Sequence, residues 1–226
     1  MGNRAVICSV GSFDPKSSST TGVYLHWNGG RTSVEAFLKY CELKGYRSPD
    51  VDCYGWARLC QVIGNFFGGG LSIGVGPCYQ LDCDNCDNGT YVIKGWEIVD
   101  RKYCDARFDT KTDLTDMLIA IDQAQPVKEQ LGEFLTAQEI PISEVQIGDE
   151  VFVFDGIYHN KYEKYKVLGY GEKEYVNGVK AKGVPYVNKY GNETVDFVDN
   201  CNNYLQGETV RVAKKKVKAK VTKKEA

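Results

Sequence analysis

GVYLHWNGGRTSVEAF, residues 22–37, reads as an apolar strand that runs through a polar, aromatic turn straight into a helix. Val23, Tyr24 and Leu25 are strand formers, and His26, Trp27 and Asn28 crowd the strand's end. Gly29-Gly30 then lets the backbone turn sharply or approach another group closely. Thr32 followed by Glu35 has the spacing of a capping box, and Val34, Phe37, Leu38 and Cys41 recur at helical intervals. A strand, turn and helix of this kind place polar and aromatic side chains where a ligand can be held.

Working outward, residues 4–10 form an apolar run and residues 11–21 are rich in Ser and Thr without periodicity. These predict a strand, a loop, and then the 23–27 strand paired antiparallel with the first. The first helix spans about 33–43 and stops near Gly45. Ser48-Pro49 resembles an N-cap followed by a first-turn proline, opening a second helix whose face carries Trp56, Leu59, Cys60, Ile63 and Phe67. That helix ends at Gly68-Gly69-Gly70. Residues 71–75 alternate as a strand, 82–89 make a turn, and 90–99 return as a strand carrying Trp96. A further helix over about 113–125 has Leu114, Met117, Leu118 and Ile121 on one face and Pro126 as its stop.

From about residue 140 the pattern changes to short β segments. VQIGDEVFV, residues 145–153, has the strand, turn and strand of a small SH3-like barrel. The expectation is an α+β protein: an N-terminal β-β-α-α-β-β domain with an added helix over 1–138, a small β-rich, SH3-like barrel over 139–213, and a basic tail over 214–226.

Composition narrows the class. The 226 residues are 42% hydrophobic and 26% charged, the proportions of an ordinary folded protein. No window approaches the roughly 20 apolar residues of a membrane span. The N-terminal residues hold no basic segment followed by an apolar signal core, so the expected location is the cytoplasm, with no membrane partner. Nine cysteines, an odd number scattered through helices, strands and loops, fit reduced thiols in a reducing compartment. The formal net charge of -2 hides the run KKKVKAKVTKK at 214–224. Without interleaved aromatics, this run reads as a solvated arm capable of weak, non-specific nucleic-acid contact.

Three constellations carry chemistry. In the turn, the N–H groups around Gly29, Gly30 and the helix start would meet an anion, with Arg31 as a bidentate charge and Trp27 or Tyr24 as a stacking face. His26, Trp27, Asn28, Gly29, Gly30 and Arg31 are thus candidate ligand-binding residues. Arg58 and Asn65, pointing away from Trp56 on the second helix, join them as residues able to line a cleft with the 82–87 loop. The turn matches neither a dinucleotide fingerprint nor a P-loop, and the competing, simpler reading is a tight strand-to-helix connection whose His26 and Trp27 pack in the core.

The second constellation is LDCDNCDNG at 81–89, where Asp82, Asp84 and Asp87 could gather oxygen ligands around Mg²⁺ or Ca²⁺. Its register is wrong for an EF-hand, and Asn88-Gly89 is a strong turn dipeptide, so a structured turn is the competing reading. The third is Cys83-x-x-Cys86, which with Cys78 and Cys104 can be drawn as a zinc site but lacks the second close pair of a zinc ribbon. Catalytic templates are scarce. The two histidines, His26 and His159, fall one in each domain, and pairing His26 with Cys53, Cys60 or Cys78 has no flanking signature.

The blocks MGNRAVI, GVYLHWNGGR…VEAFL, CYGWARLCQVIGNFFGG and LDCDN…DNGTYV together resemble an uncharacterised family of small proteins carried by phages, prophages and conjugative elements of Gram-positive gut bacteria. The resemblance covers most of residues 1–104. It implies a mobile-element setting, in which compact proteins without catalytic motifs often counter host defence. On this basis the chain is expected to be a non-enzymatic accessory protein binding a phosphate-bearing small molecule, such as a cyclic nucleotide signal. The alternatives are a protein-binding inhibitor or regulator of a host defence protein or nucleic-acid complex, and a metal-dependent nucleotide hydrolase. A homo-oligomer is compatible with each.

Overall fold

The computed structural model describes residues 2–12, 21–70, 72–104, 112–155, 161–174, 180–188 and 208–213. The basic tail at 214–226, His159 and most of the Ser-rich 11–21 stretch lie outside the described residues. The chain divides into two compact units, 1–135 and 136–226. Among the described residues they make an α+β protein with three α-helices and two sheets.

The first unit runs β1 (Ala5–Ser9), β2 (Thr21–Leu25), α1 (Arg31–Leu43), α2 (Cys53–Phe66), β3 (Ile73–Pro77), β4 (Thr90–Lys94), β5 (Glu97–Lys102) and α3 (Thr115–Ala124). Its sheet has the order β3-β2-β1-β4-β5, with β1 antiparallel to β2 and parallel to β4. All five residues of β1 are buried, as a strand covered on both faces requires. Val6 and Cys8 pack beneath Cys78, Leu81 and Cys83 of the segment that follows β3. The alternate residues Ile7, Val23, Leu25, Tyr91 and Ile93 face the other way and are fully buried, as are Val34, Phe37, Leu59 and Ile63 of the helices. The helices thus cover one face of the sheet and residues 78–89 cover the other.

Several boundaries differ from the sequence reading. The single strand expected over 90–99 is a hairpin, β4 and β5, turning at Gly95-Trp96, so the order is β-β-α-α-β-β-β-α. Helix α1 starts at Arg31, with Gly30 as an N-cap that offers no side chain. The Thr32/Glu35 capping box does not form, because Glu35 instead accepts from Arg31 Nε at 2.7 Å one turn away. Helix α2 is capped by Asp52, whose side chain accepts from the Tyr54 N–H at 2.9 Å, and not by Ser48.

A buried polar network locks α3 onto α1. Asp122, 5% exposed, accepts from the Tyr40 hydroxyl at 2.7 Å and from the N–H groups of Leu131 and Gly132 at 2.6 and 2.9 Å. Lys44 donates to the Glu129 carbonyl at 2.6 Å. These bonds satisfy the chain where it leaves α3 and folds back over α1.

In the second unit β6 (Gln138–Pro141), β7 (Glu150–Asp155), β8 (Lys161–Glu174), β9 (Lys180–Asn188) and β10 (Thr209–Val212) form an antiparallel sheet in the order β6-β10-β7-β8-β9. Val145, Val151, Val167 and Val212 make its core. The closed SH3-like barrel expected from VQIGDEVFV is not what these strands form: among the described residues the sheet is open, with β6 and β9 as edges.

Candidate functional site

The 26–30 turn is organised by residues that its own sequence does not contain. Asn3 and Arg4, just ahead of β1, lie between the turn and the 81–89 loop. The Asn3 N–H donates to the His26 carbonyl at 3.2 Å, and the Gly29 N–H donates to the Asn3 carbonyl at 2.7 Å. On the other side the Asn88 N–H donates to the Arg4 carbonyl at 3.2 Å, and Asn88 Nδ2 reaches Asn3 Oδ1 at 2.5 Å.

This arrangement explains the glycine. A Cβ on Gly29 would stand 2.6 Å from the backbone of Arg4 and Ala5, so the residue is there to let two chain segments touch. Its N–H is engaged by Asn3 and is not offered to a ligand. Asn28 supplies the left-handed backbone of the turn, φ 54°, a conformation that Asn tolerates better than most residues. Arg31 lies within the first turn of α1, paired with Glu35.

What the turn does present outward is aromatic. Trp27 is 44% exposed, and its ring meets the His26 imidazole edge-on, with centroids 5.0 Å apart. His26 is exposed as well, and its Nδ1 lies 3.0 Å from the Tyr24 hydroxyl, which orients the imidazole. Burial pushes the Tyr24 phenol up from its ordinary value. Four residues after Trp27 α1 begins, and its N-cap, Gly30, makes no side-chain capping bond.

Arg58 and Asn65 are placed elsewhere. Arg58 stacks over the Tyr46 ring at 5.2 Å and donates to Gln61 at 2.7 Å, while Asn65 donates to Gln125 at 2.9 Å. Their helix and the 81–89 loop cover opposite faces of the sheet, so the expected cleft between them is not formed.

The acidic loop is a clasp. Asn85, 1% exposed, accepts from the N–H groups of Asp87, Asn88 and Gly89 and donates to the carbonyls of Asp82 and Gly89, all within 3.1 Å. Arg4 Nε donates to Asp87 at 2.7 Å, and its Nη1 reaches Asp82 at 3.4 Å. Two of the three candidate metal-ligating carboxylates therefore face a guanidinium, and among the described residues no group of three or more His, Cys, Asp or Glu side chains is arranged to hold a metal ion. Cys83 and Cys86 do not converge as a chelating pair either: Cys86 is exposed, whereas Cys83 turns toward Cys78, 3.7 Å away. Asn3, Arg4 and Asn85 were not legible as site residues; the only hint was an Asn-rich turn following a short polar N-terminus.

The hydrogen bond from Arg4 holds the Asp87 carboxyl below the usual carboxylate range. Because the folded value is depressed, the clasp contributes fully above the ordinary carboxylate pKa and is lost as pH falls through the lowered one. In a pH titration followed by NMR, the Arg4 Nε–H signal should persist through the normal carboxylate range and shift only below it. Asp87→Asn should abolish that acid step; a step unchanged by the substitution would assign it to another group.

Comparison of the chain with protein-family models, with curated proteins and with solved structures gives no match, so what the site can do rests on its own geometry.

Proposed function

We propose that the N-terminal unit is a non-enzymatic binding module for a planar, phosphate-bearing small molecule of the nucleotide type, such as a cyclic nucleotide signal, acting in the cytoplasm of a bacterial host as a mobile-element accessory protein. The observation that carries the reading is the exposed Trp27 ring, braced by His26 and Tyr24 at the mouth of α1. A base can stack on the indole while a phosphate accepts from the helix's first N–H groups, where the dipole favours negative charge. The mobile-element setting comes from the family resemblance and adds no residue-level role.

The hydrolase alternative has less to support it, since Arg4 engages Asp82 and Asp87. The cleft residues Arg58 and Asn65 drop out of the binding set because α2 covers the sheet face opposite the 81–89 loop, Arg58 lying exposed over Tyr46 and Asn65 bonded to Gln125.

A panel of mono-, di- and cyclic nucleotides, incubated with the purified full chain with and without Mg²⁺, tests the proposal. The expected result is recovery of one unchanged nucleotide after heat release, with quenching of Trp fluorescence on binding. Trp27→Ala should weaken that binding by about tenfold or more, the loss of one base–aromatic stack. Turnover of the nucleotide, or undiminished affinity in Trp27→Ala, would overturn the reading.

A further inference from the structure

On the sheet face opposite the helices, three cysteines distant in sequence converge. Cys8 is on β1, Cys78 opens the short 3-10 turn Cys78–Gln80 after β3, and Cys83 lies five residues farther on. The Sγ atoms of Cys8 and Cys78 are 2.9 Å apart, and those of Cys78 and Cys83 are 3.7 Å apart. All three are free thiols; the first two are buried and Cys83 is half-buried. For comparison, a disulfide bond is about 2.04 Å long, so the first pair needs to close by less than an ångström.

The approach is built into the sheet. Cys8 pairs with Gly22 across the β1–β2 ladder, and Gly22 with Gly76 across β2–β3, so the three residues form one row on this face. Gly22, in the middle, leaves a gap. A Cβ there would stand 2.8 Å from Leu81 Cδ1 and 3.4 Å from Cys78 Cα. The missing side chain on the intervening strand is what lets the Cys78 segment settle over β2 and bring its thiol to Cys8.

We propose that Cys8 and Cys78 form a reversible disulfide, with Cys83 as the thiol through which that bond is reopened to solvent reductants. The oxidant is a hydroperoxide. Cys78 thiolate attacks a peroxide oxygen: the S–O bond forms, the O–O bond breaks, and the departing oxygen takes a proton to leave as water or alcohol. Cys8 sulfur then attacks the Cys78 sulfenic acid, forming S–S and releasing the sulfenic oxygen as water with the Cys8 proton. For hydrogen peroxide the sum is two thiols and one peroxide giving one disulfide and two waters. In the return direction Cys83 thiolate attacks Cys78, freeing Cys8, and the resulting half-buried Cys78–Cys83 bond is open to a small thiol.

The electrostatics agree with Cys78 as the attacking thiol of the oxidation, whereas burial pushes the Cys83 thiol up to about 11, so the reopening step quickens as pH rises. Contacts from Cys8 and Cys83 hold the Cys78 thiol down to about 7, so it is the member that ionises at neutral pH, while the shared hydrogen bond with Cys78 pushes Cys8 up and keeps its proton in place. The proposal is independent of nucleotide binding and is tested without ligand.

The full chain is oxidised with hydrogen peroxide under native conditions, its remaining thiols are blocked with N-ethylmaleimide, and the disulfides are mapped by peptide mass spectrometry. The expected product is a Cys8–Cys78 crosslink, two hydrogens lighter, that dithiothreitol reverses, with exposed Cys86 still alkylated. Cys83→Ser should form the same crosslink but be reduced by glutathione about tenfold more slowly. Cys78→Ser should leave Cys8 reduced, and its native circular dichroism should show that the fold remains. The proposal is overturned if native oxidation yields no Cys8–Cys78 crosslink, if the crosslink appears only in urea, or if blocking these thiols releases a stoichiometric metal ion.

Discussion

Asp122→Ala should lower the stability of the N-terminal unit by about 4 kcal/mol, seen as a shift of about 10 °C or more in its thermal midpoint. The size follows from what the carboxylate does. It is buried, and it accepts from Tyr40 Oη, the Leu131 N–H and the Gly132 N–H, three donors that belong to two separate stretches of chain, α1 and the segment after α3. Leaving a buried donor without an acceptor costs about 1–3 kcal/mol, and alanine removes the acceptor for all of them at once. Tyr40→Phe removes one donor and leaves the carboxylate its two backbone bonds, so its loss should stay near 1 kcal/mol. Urea unfolding of both variants decides the matter. Equal losses would mean that the two backbone bonds contribute nothing and that the connection after α3 is held by packing alone.

Gly29→Ala is the second large effect, expected at about 3 kcal/mol by urea unfolding. The added methyl would meet Arg4 C and Ala5 N at 2.6 Å and Ala5 Cβ at 2.7 Å, atoms of a central strand that cannot move aside. Relief requires the turn to lift, which breaks the bond from the Gly29 N–H to Asn3. The adjacent Gly30→Ala is the control. Its nearest neighbours are the Asn3 amide atoms, at 3.6 Å and beyond, and its φ of -62° suits any residue, so a change of about 0.5 kcal/mol is expected. A similar loss at both positions would show that the glycines serve backbone flexibility and not the contact with β1.

The two glycines illustrate what could and could not be read from the chain. Gly29-Gly30 marked a sharp strand-to-helix turn in the sequence, and a turn is what they make. Which of them is indispensable depends on Arg4 and Ala5, some twenty-five residues away, and no local pattern encodes that approach. The capping box failed for a similar reason. Thr32 and Glu35 have the right spacing, but the helix begins two residues earlier, at Arg31, and Arg31 takes the glutamate. Cys83-x-x-Cys86 drew attention as a local pair. The thiol that Cys83 approaches is Cys78, and the partner of Cys78 is Cys8, seventy positions away and recognisable only once the sheet is assembled.

Hydrophobic periodicity and glycine or proline punctuation by themselves determined the three helices, the antiparallel β1–β2 pair and the change of character near residue 140, because these depend on spacings of two to four residues. Tertiary structure alone decided the strand order, with β4 parallel to β1, and the open second sheet. It also decided that Arg4 clasps the acidic loop, that Arg58 and Asn65 belong to the helical layer, and that Trp27 is left facing solvent. The physical reason is that such contacts are chosen by which faces must be buried together, and burial is a property of the whole sheet and its covering layers rather than of any one stretch of chain.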